Sequence, residues 1–400
     1  MNVKELFLDY VKIDSRSDEN SGVTPSTPGQ FDMAKRVVED LKKDGVDATY
    51  NEKCYVYGSI PASDGRDGEP AIGLIAHIDT APVISGKNIK PSIIEDYNGK
   101  DIILENKTVL SPDVYGHLKN YIGQSIIVTD GNTLLGADDK AGVAEIIAMA
   151  DYIISNNISH PAVKIAFTPD EEIGCGADNF NVAEFGADYA YTVDGGQIGE
   201  LEYENFNAAS ATVTICGNCI HPGEAKNKMK NAILMAMEFN AMLPPEQTPS
   251  HTEGYEGFYH LCYIEGMEEK TALKYIIRDH DRNMFERRKK VMENIAAYLN
   301  DKYGKNTVKL EIIDSYYNMK EKIADHMEII DKARRAFEKE SIPVHIQPIR
   351  GGTDGARLSY MGLPCPNLSA GGHNFHGKYE YIPVESMEKM VKVLVNLVTE

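Results

Sequence analysis

Apolar positions change their spacing along the chain, and that change divides it. Residues 29–44 carry Phe31, Ala34, Val37, Val38 and Leu41 at helical intervals with Gly45 as a stop, which predicts an amphipathic helix. Three apolar runs, PAIGLIAHID at 70–79, VKIAFTPDEE at 163–172 and DYAYTVDGG at 188–196, predict buried strands. Between the first two lies LLGADDKAGVAEIIAMADYIISNN, where a Gly-rich turn opens a long apolar helix. Alternation of this kind predicts an α/β fold with a mixed, mainly parallel sheet flanked by helices.

From Glu204 to Ala209 the texture changes. Strand patterns in ASATVTIC, FYHLCYIEGM, TALKYIIRDHD and TVKLEIIDSYYN surround helical patterns at 229–242 and 282–303, predicting a small α/β sandwich. The first texture resumes with a helix at 325–340, a Gly-rich loop at 350–355 and a closing helix from Glu385. A discontinuous domain fits this order, with parts at 1–205 and 321–400 and an inserted unit at 206–320.

Composition narrows the classes. A chain of 400 residues exceeds what one hydrophobic core supports, roughly 250 to 300 residues, so two domains are expected. No stretch reaches the roughly 20 apolar residues of a membrane helix, and MNVKELFLDYV reads as an amphipathic first helix, not a signal peptide. A cytoplasmic location is the resulting expectation, with no membrane partner. A formal net charge of −20 argues against nucleic acid, whose binders present basic faces. Six cysteines are too sparse for a disulfide framework, and Cys216 and Cys219 are expected to be two small buried residues, not a metal or redox pair.

Chemistry gathers at strand ends. His77 and Asp79 close the first apolar run, and a spacing of two puts both on one face of an extended chain. Glu171 and Glu172 follow VKIAFTP, Asp194 follows YAYTV, Asp138 and Asp139 precede the helix near Lys140, and His376 follows PNLSA. Carboxyl ends of strands are where open α/β sheets place their sites. Singly, each residue has an ordinary role, such as a helix cap or a solvated turn. Jointly, so many carboxylates in one crevice repel one another unless cations neutralise them. Imidazoles mixed with carboxylates suit Zn²⁺, and two ions about 3.5 to 4 Å apart make a clamp that activates water. One carboxylate then bridges and another serves as base, but the spacing does not separate Asp138 from Asp139 or Glu171 from Glu172.

AHIDT at 76–80, LGADDKAG at 135–142, TPDEEIGCG at 168–176, DGG at 194–196 and FHGKYE at 375–380 resemble the motifs of the M20 metallopeptidases. HPGEAKNKMKNA at 221–232, HTEGYEGFYHL at 251–261 and IRGGTDGA at 349–356 are similar to the tripeptide aminopeptidase branch of that family. The resemblance covers nearly the whole chain. It implies two zinc ions per chain, one held by His77 and Asp194, the other by Glu172 and His376, with Asp138 bridging. Asp79 would orient His77, and Glu171 would be the general base for attack by a hydroxide bridging the metals. His221 resembles the lid histidine that steadies the oxyanion. Tyr379 stands where relatives are expected to carry histidine.

Substrates would be small peptides cut after their first residue. Arg350, ahead of GGTDG, could fork onto the peptide's terminal carboxylate, with Asn231 and Arg278 as weaker candidates. The resemblance also implies a homodimer through the inserted unit. The competing expectations are another M20-type peptidase or N-acyl amino acid hydrolase, and an inactive peptide-binding homologue.

Overall fold

The three long apolar runs become neighbouring strands. In the computed structural model, which describes residues 1–400, Val163–Thr168, Ile72–His77 and Tyr189–Gly195 lie side by side and parallel. All six residues of Ile72–His77 are buried, which is why the run is continuously apolar instead of alternating. The full sheet has eight strands in the order Asp47–Tyr50, Val56–Ile60, Val163–Thr168, Ile72–His77, Tyr189–Gly195, Asn367–Ser369, Glu200–Glu202, His345–Ile346. Four of its seven neighbouring pairs are parallel. The helices Val3–Tyr10, Gly29–Lys43, Ala137–Ser155 and Val384–Thr399 bury apolar faces here; Ala137–Ser155 contacts both Ile72–His77 and Tyr189–Gly195.

Two compact units result. The first comprises Met1–Tyr203, Glu321–Gln347 and Thr353–Glu400, and the second Glu204–Lys320 and Pro348–Gly352. The second unit holds an antiparallel sheet in the order Phe258–Met267, Lys270–Asp279, Asn207–Cys216, Val308–Tyr316. Helices Ala232–Ala241 and Arg282–Tyr303 cover it, burying Met235, Phe239, Phe285, Met292 and Leu299 in a core of their own. Asp281 caps the longer helix by accepting from the Met284 amide at 2.8 Å.

One sequence expectation needs correction, one boundary shifts, and one small sheet carries no sequence signal. Residues 348–352 fall inside the stretch assigned to the second part of the larger domain, yet they group with the second unit. The cause is hydrogen bonding: the Ile349 amide donates to the Glu204 carbonyl at 2.8 Å, and Arg350 reaches the carbonyls of Gly254 and Glu256 at 2.7 and 3.0 Å. Cys216 and Cys219 are not a buried pair. The strand ends at Cys216, which is half-buried, and the following turn carries Cys219 to the surface with its thiol 3.3 Å from Glu268 Oε2. Residues 92–128 and 381–383, which no clear pattern marks, form a three-stranded sheet of Ser92–Ile94, Ile126–Val128 and Tyr381–Pro383 over Tyr97, Leu118 and Tyr121. Its strands are three residues long, too short to show a period.

Candidate metal centre

The site is built at the carboxyl ends of four adjacent strands. His77 is the last residue of its strand and is almost wholly buried, so its ring has little freedom. Nδ1 lies 3.1 Å from the Asp79 carbonyl and 3.3 Å from Asp79 Oδ1. Nε2 lies 2.9 Å from Asp138 Oδ1 and 3.3 Å from Asp194 Oδ1. Asp79 also accepts from the Glu171 amide on Oδ1 (3.0 Å) and from the Glu172 amide on Oδ2 (3.2 Å). One buried carboxylate thereby ties His77 to the turn that carries both glutamates.

The turn at Asp138 explains why the two aspartates differ. Neither has helical dihedrals, and the regular helix begins after them. Asp139 is consumed locally: Oδ2 accepts from the His77 amide at 3.1 Å and Oδ1 from the Gly142 amide at 3.2 Å, a cap three residues ahead. Gly142 permits the helix to press on the strand, since a Cβ there would sit 2.0 Å from the Val193 carbonyl oxygen. Asp138 is left with both oxygens facing imidazoles, Oδ1 toward His77 and Oδ2 toward His376 Nε2 at 2.8 Å. Glu380, buried, clasps this turn from below by accepting from the amides of Leu135 (2.6 Å), Gly136 (2.9 Å) and Asp138 (3.2 Å).

His376 completes the arrangement. Its Nε2 is 3.0 Å from Glu172 Oε2, and it occupies the left-handed region with φ of 61° at the tip of a loop closed by paired His373 and Tyr381. Asp194 is set by Asn367, whose Oδ1 accepts from the Asp194 amide at 3.2 Å and whose Nδ2 donates to Glu202 at 2.8 Å. Two donor groups therefore share one member: His77, Asp138 and Asp194 in one, Asp138, Glu172 and His376 in the other.

Electrostatics fit a cation pair. Burial raises the carboxyl of Glu171 well above its usual range, that of Glu172 to about 7 and that of Asp194 to about 6. Burial also raises Asp138, but hydrogen bonds from His376 and His77 outweigh it and leave that carboxyl below its usual range. Hydrogen bonds to Asp138 and Glu172 lift His376 to about 11. Glu172 Oε1 is buried with no hydrogen-bond partner, an arrangement that costs about 1–3 kcal/mol unless something positive meets it. Three carboxylates and two imidazoles converging with one orphaned oxygen match the donors that divalent zinc takes.

The remaining candidates belong to the second unit. His221 is exposed and its Nδ1 accepts from the Gly223 amide at 3.2 Å. Asn231 caps its helix by accepting from the amides of Ile233 and Leu234. Arg278 donates to the carbonyls of Ala209 and Ile277 and lies over the Tyr316 ring. Arg350 stacks over Phe206 and Phe258 while also bonding the Thr252 hydroxyl. Tyr379, in the first unit, packs against Tyr115 with ring centroids 5.4 Å apart and is a member of neither donor group. Glu380 closes the FHGKYE motif, but its clasp on the 135–138 turn and the role of Asn367 carry no sequence signal because their partners lie far off in the chain.

Known proteins resemble this chain throughout. Peptidase T of Alkaliphilus oremlandii is 54% identical over 402 residues, covering 99% of this chain and 98% of its own. Peptidase T of Halothermothrix orenii is 56% identical over 400 residues with the same coverage. The crystal structure of aminopeptidase PepT from Bacillus cereus has the same fold, with a TM-score of 0.78 at 23% identity over 100% of this chain and 97% of that one. The pattern of Peptidase family M20/M25/M40 matches residues 128–400, and the likeness to the relatives also spans the residues before 128. The chain belongs to peptidase family M20/M25/M40.

Proposed function

We propose that this protein is a cytoplasmic two-zinc aminopeptidase that releases the N-terminal residue of tripeptides. The observation that carries the reading is Asp138, whose two oxygens face His77 and His376 at the centre of two donor groups. The name Peptidase T on relatives identical at more than half their positions supports the substrate class. His77 and Asp194 would hold one zinc, Glu172 and His376 the other, and Asp138 both. When bound, such a pair polarises the scissile carbonyl and makes water a stronger acid.

The chain's own residues do the rest. Asp79 holds the His77 ring through Nδ1, leaving Nε2 for the donor group. Glu171 takes the proton of the attacking water and passes it to the leaving amine, from a turn whose amides Asp79 holds. His221 would steady the oxyanion, and Arg350, with its guanidinium plane fixed by the 252–256 loop, would meet the peptide's terminal carboxylate, with Asn231 and Arg278 the weaker candidates for that contact. Exposed Leu234, Met237, Ile264 and Met267 on the second unit support a homodimer through that unit. No helix is long and apolar enough to cross a membrane.

Zinc-loaded protein incubated with a free tripeptide, its N-acetylated form, and the matching dipeptide and tetrapeptide tests this reading, with products identified by mass. Release of the first residue from the free tripeptide alone is expected. Release of the C-terminal residue or of the acyl group would replace the substrate assignment with another amidohydrolase of the family, and no hydrolysis at all would mark an inactive homologue. Glu171→Gln should keep both metals and lose at least a hundredfold in kcat.

A further inference from the structure

The turn that carries Glu171 is held by a residue from far away in the chain. Leaving the strand Val163–Thr168, the backbone enters the left-handed region at Asp170, where φ is 57°. An aspartate there persists only if its surroundings fix it. Asp170 is fully buried, and its carboxylate accepts from the Ser26 amide at 3.0 and 2.8 Å, from the Ser26 hydroxyl, and from Gln30 Nε2 at 2.6 Å. Its own amide donates to Gln30 Oε1 at 3.1 Å. One carboxamide thus grips Asp170 by backbone and side chain together.

The next two amides, of Glu171 and Glu172, go to the two oxygens of Asp79. Three successive amides of the turn therefore end on two fully buried side chains, Gln30 and Asp79. Asp79 also touches the donor group, whereas Gln30 touches the turn and the hydroxyls of Ser26 and Thr27, at 3.2 and 3.4 Å, none of which belongs to a donor group. That division isolates a positioning role from metal binding.

We propose that Gln30 is a positioning residue for Glu171: its carboxamide, closed on Asp170, fixes the backbone from which the proton-carrying carboxyl works. The inference rests on Glu171 being the base. A displacement of about 1 Å at a reacting group costs about a hundredfold in rate, so a loosened turn shows in kcat before it shows in binding. Gln30→Met fills the same volume and removes both hydrogen bonds to Asp170 together with those to the Ser26 and Thr27 hydroxyls. Gln30→Glu, when ionised, sets a carboxylate against Asp170; when protonated, its O–H donates to Asp170 and its carbonyl accepts from the Asp170 amide, restoring the grip.

The experiment measures kcat and KM on a free tripeptide, with bound metal and melting temperature, for the wild type, Gln30→Met, Gln30→Glu and Glu171→Gln. Expected for Gln30→Met is a kcat about tenfold or more below wild type, KM within about twofold and two metals still bound. The kcat of Gln30→Glu relative to wild type should climb as pH falls. Wild-type kcat in a folded Gln30→Met overturns the inference, as does a rise in KM as large as the loss in kcat. Should Gln30→Met fail to fold, a pH-independent ratio for Gln30→Glu overturns it instead. Activity retained in Glu171→Gln would remove the base assignment, a failure separate from that of the clasp.

Discussion

Asp138 and Asp139 are chemically alike and adjacent, yet one faces two imidazoles and the other is spent on two amides. Asp138→Ala should therefore bind fewer than two zinc ions per chain, measured by metal analysis after dialysis, with activity lost alongside. Asp139→Asn keeps an acceptor for only one of its two amides, and should retain more metal than Asp138→Ala because neither Asp139 oxygen is in a donor group. Sequence spacing left the two aspartates equal because the deciding bond, from the His77 amide to Asp139, spans 62 positions. A second residue-level test concerns Glu145, which is fully buried with neither carboxyl oxygen partnered. Burial raises its carboxyl well above 4.5, so the folded chain holds a proton that the unfolded chain releases near pH 4.5. Its contribution to stability is thus intact below that pH and is lost as pH rises toward the folded value. Glu145→Met should be more stable than wild type by about 1–3 kcal/mol at neutral pH, the cost of a buried orphan group. In thermal melts the gain should be larger at pH 8 than at pH 5, and an equal gain at both would mean that the carboxyl does not titrate differently on folding.

At the scale of elements, the loop His373–Tyr381 shows how a ligand candidate is held by neighbours that never meet the donors. His373 stacks on His117 with ring centroids 4.5 Å apart and on Tyr381 at 4.8 Å, and its Nε2 is 2.6 Å from the Tyr121 hydroxyl. Burial, helped by the neighbouring His117 ring, lowers His373 to about 3. The unfolded chain takes that proton near pH 6.5, so below this value the unfolded state binds more protons and stability falls as pH drops toward 3. His373→Phe keeps a ring in the stack and should remove about 2 kcal/mol of the loss seen between pH 7 and pH 5, read from denaturant midpoints. A variant whose stability falls as steeply as wild type would mean that His373 takes up its proton alike in both states. The long elements were legible: the periodic runs at 29–44 and 282–303 match the helices Gly29–Lys43 and Arg282–Tyr303 closely. The sheet under this loop was not, because Tyr381–Pro383 pairs with Ile126–Val128 across some 250 residues and each strand has only three.

At the scale of the whole chain, every donor residue lies in the first unit, while the second has its own buried core around Phe239, Phe285 and Leu299. A ligand stabilises only what it binds when folded, by about 2.7 kcal/mol at a free concentration one hundred times its dissociation constant. Zinc should therefore raise the unfolding temperature of the first unit and leave that of the second where it stands in the metal-free protein. Differential scanning calorimetry with and without metal reads this directly, and Glu145→Met labels the transitions because Glu145 lies in the first unit. The transition that moves with Glu145→Met should be the one that moves with zinc. A single transition that shifts as a whole would show that the two cores unfold as one cooperative body. In that case the boundary at Glu204 and Lys320 divides contacts without dividing stability. If zinc instead moved the other transition, the donors would have to be sought in the second unit and the shared role of Asp138 would fall.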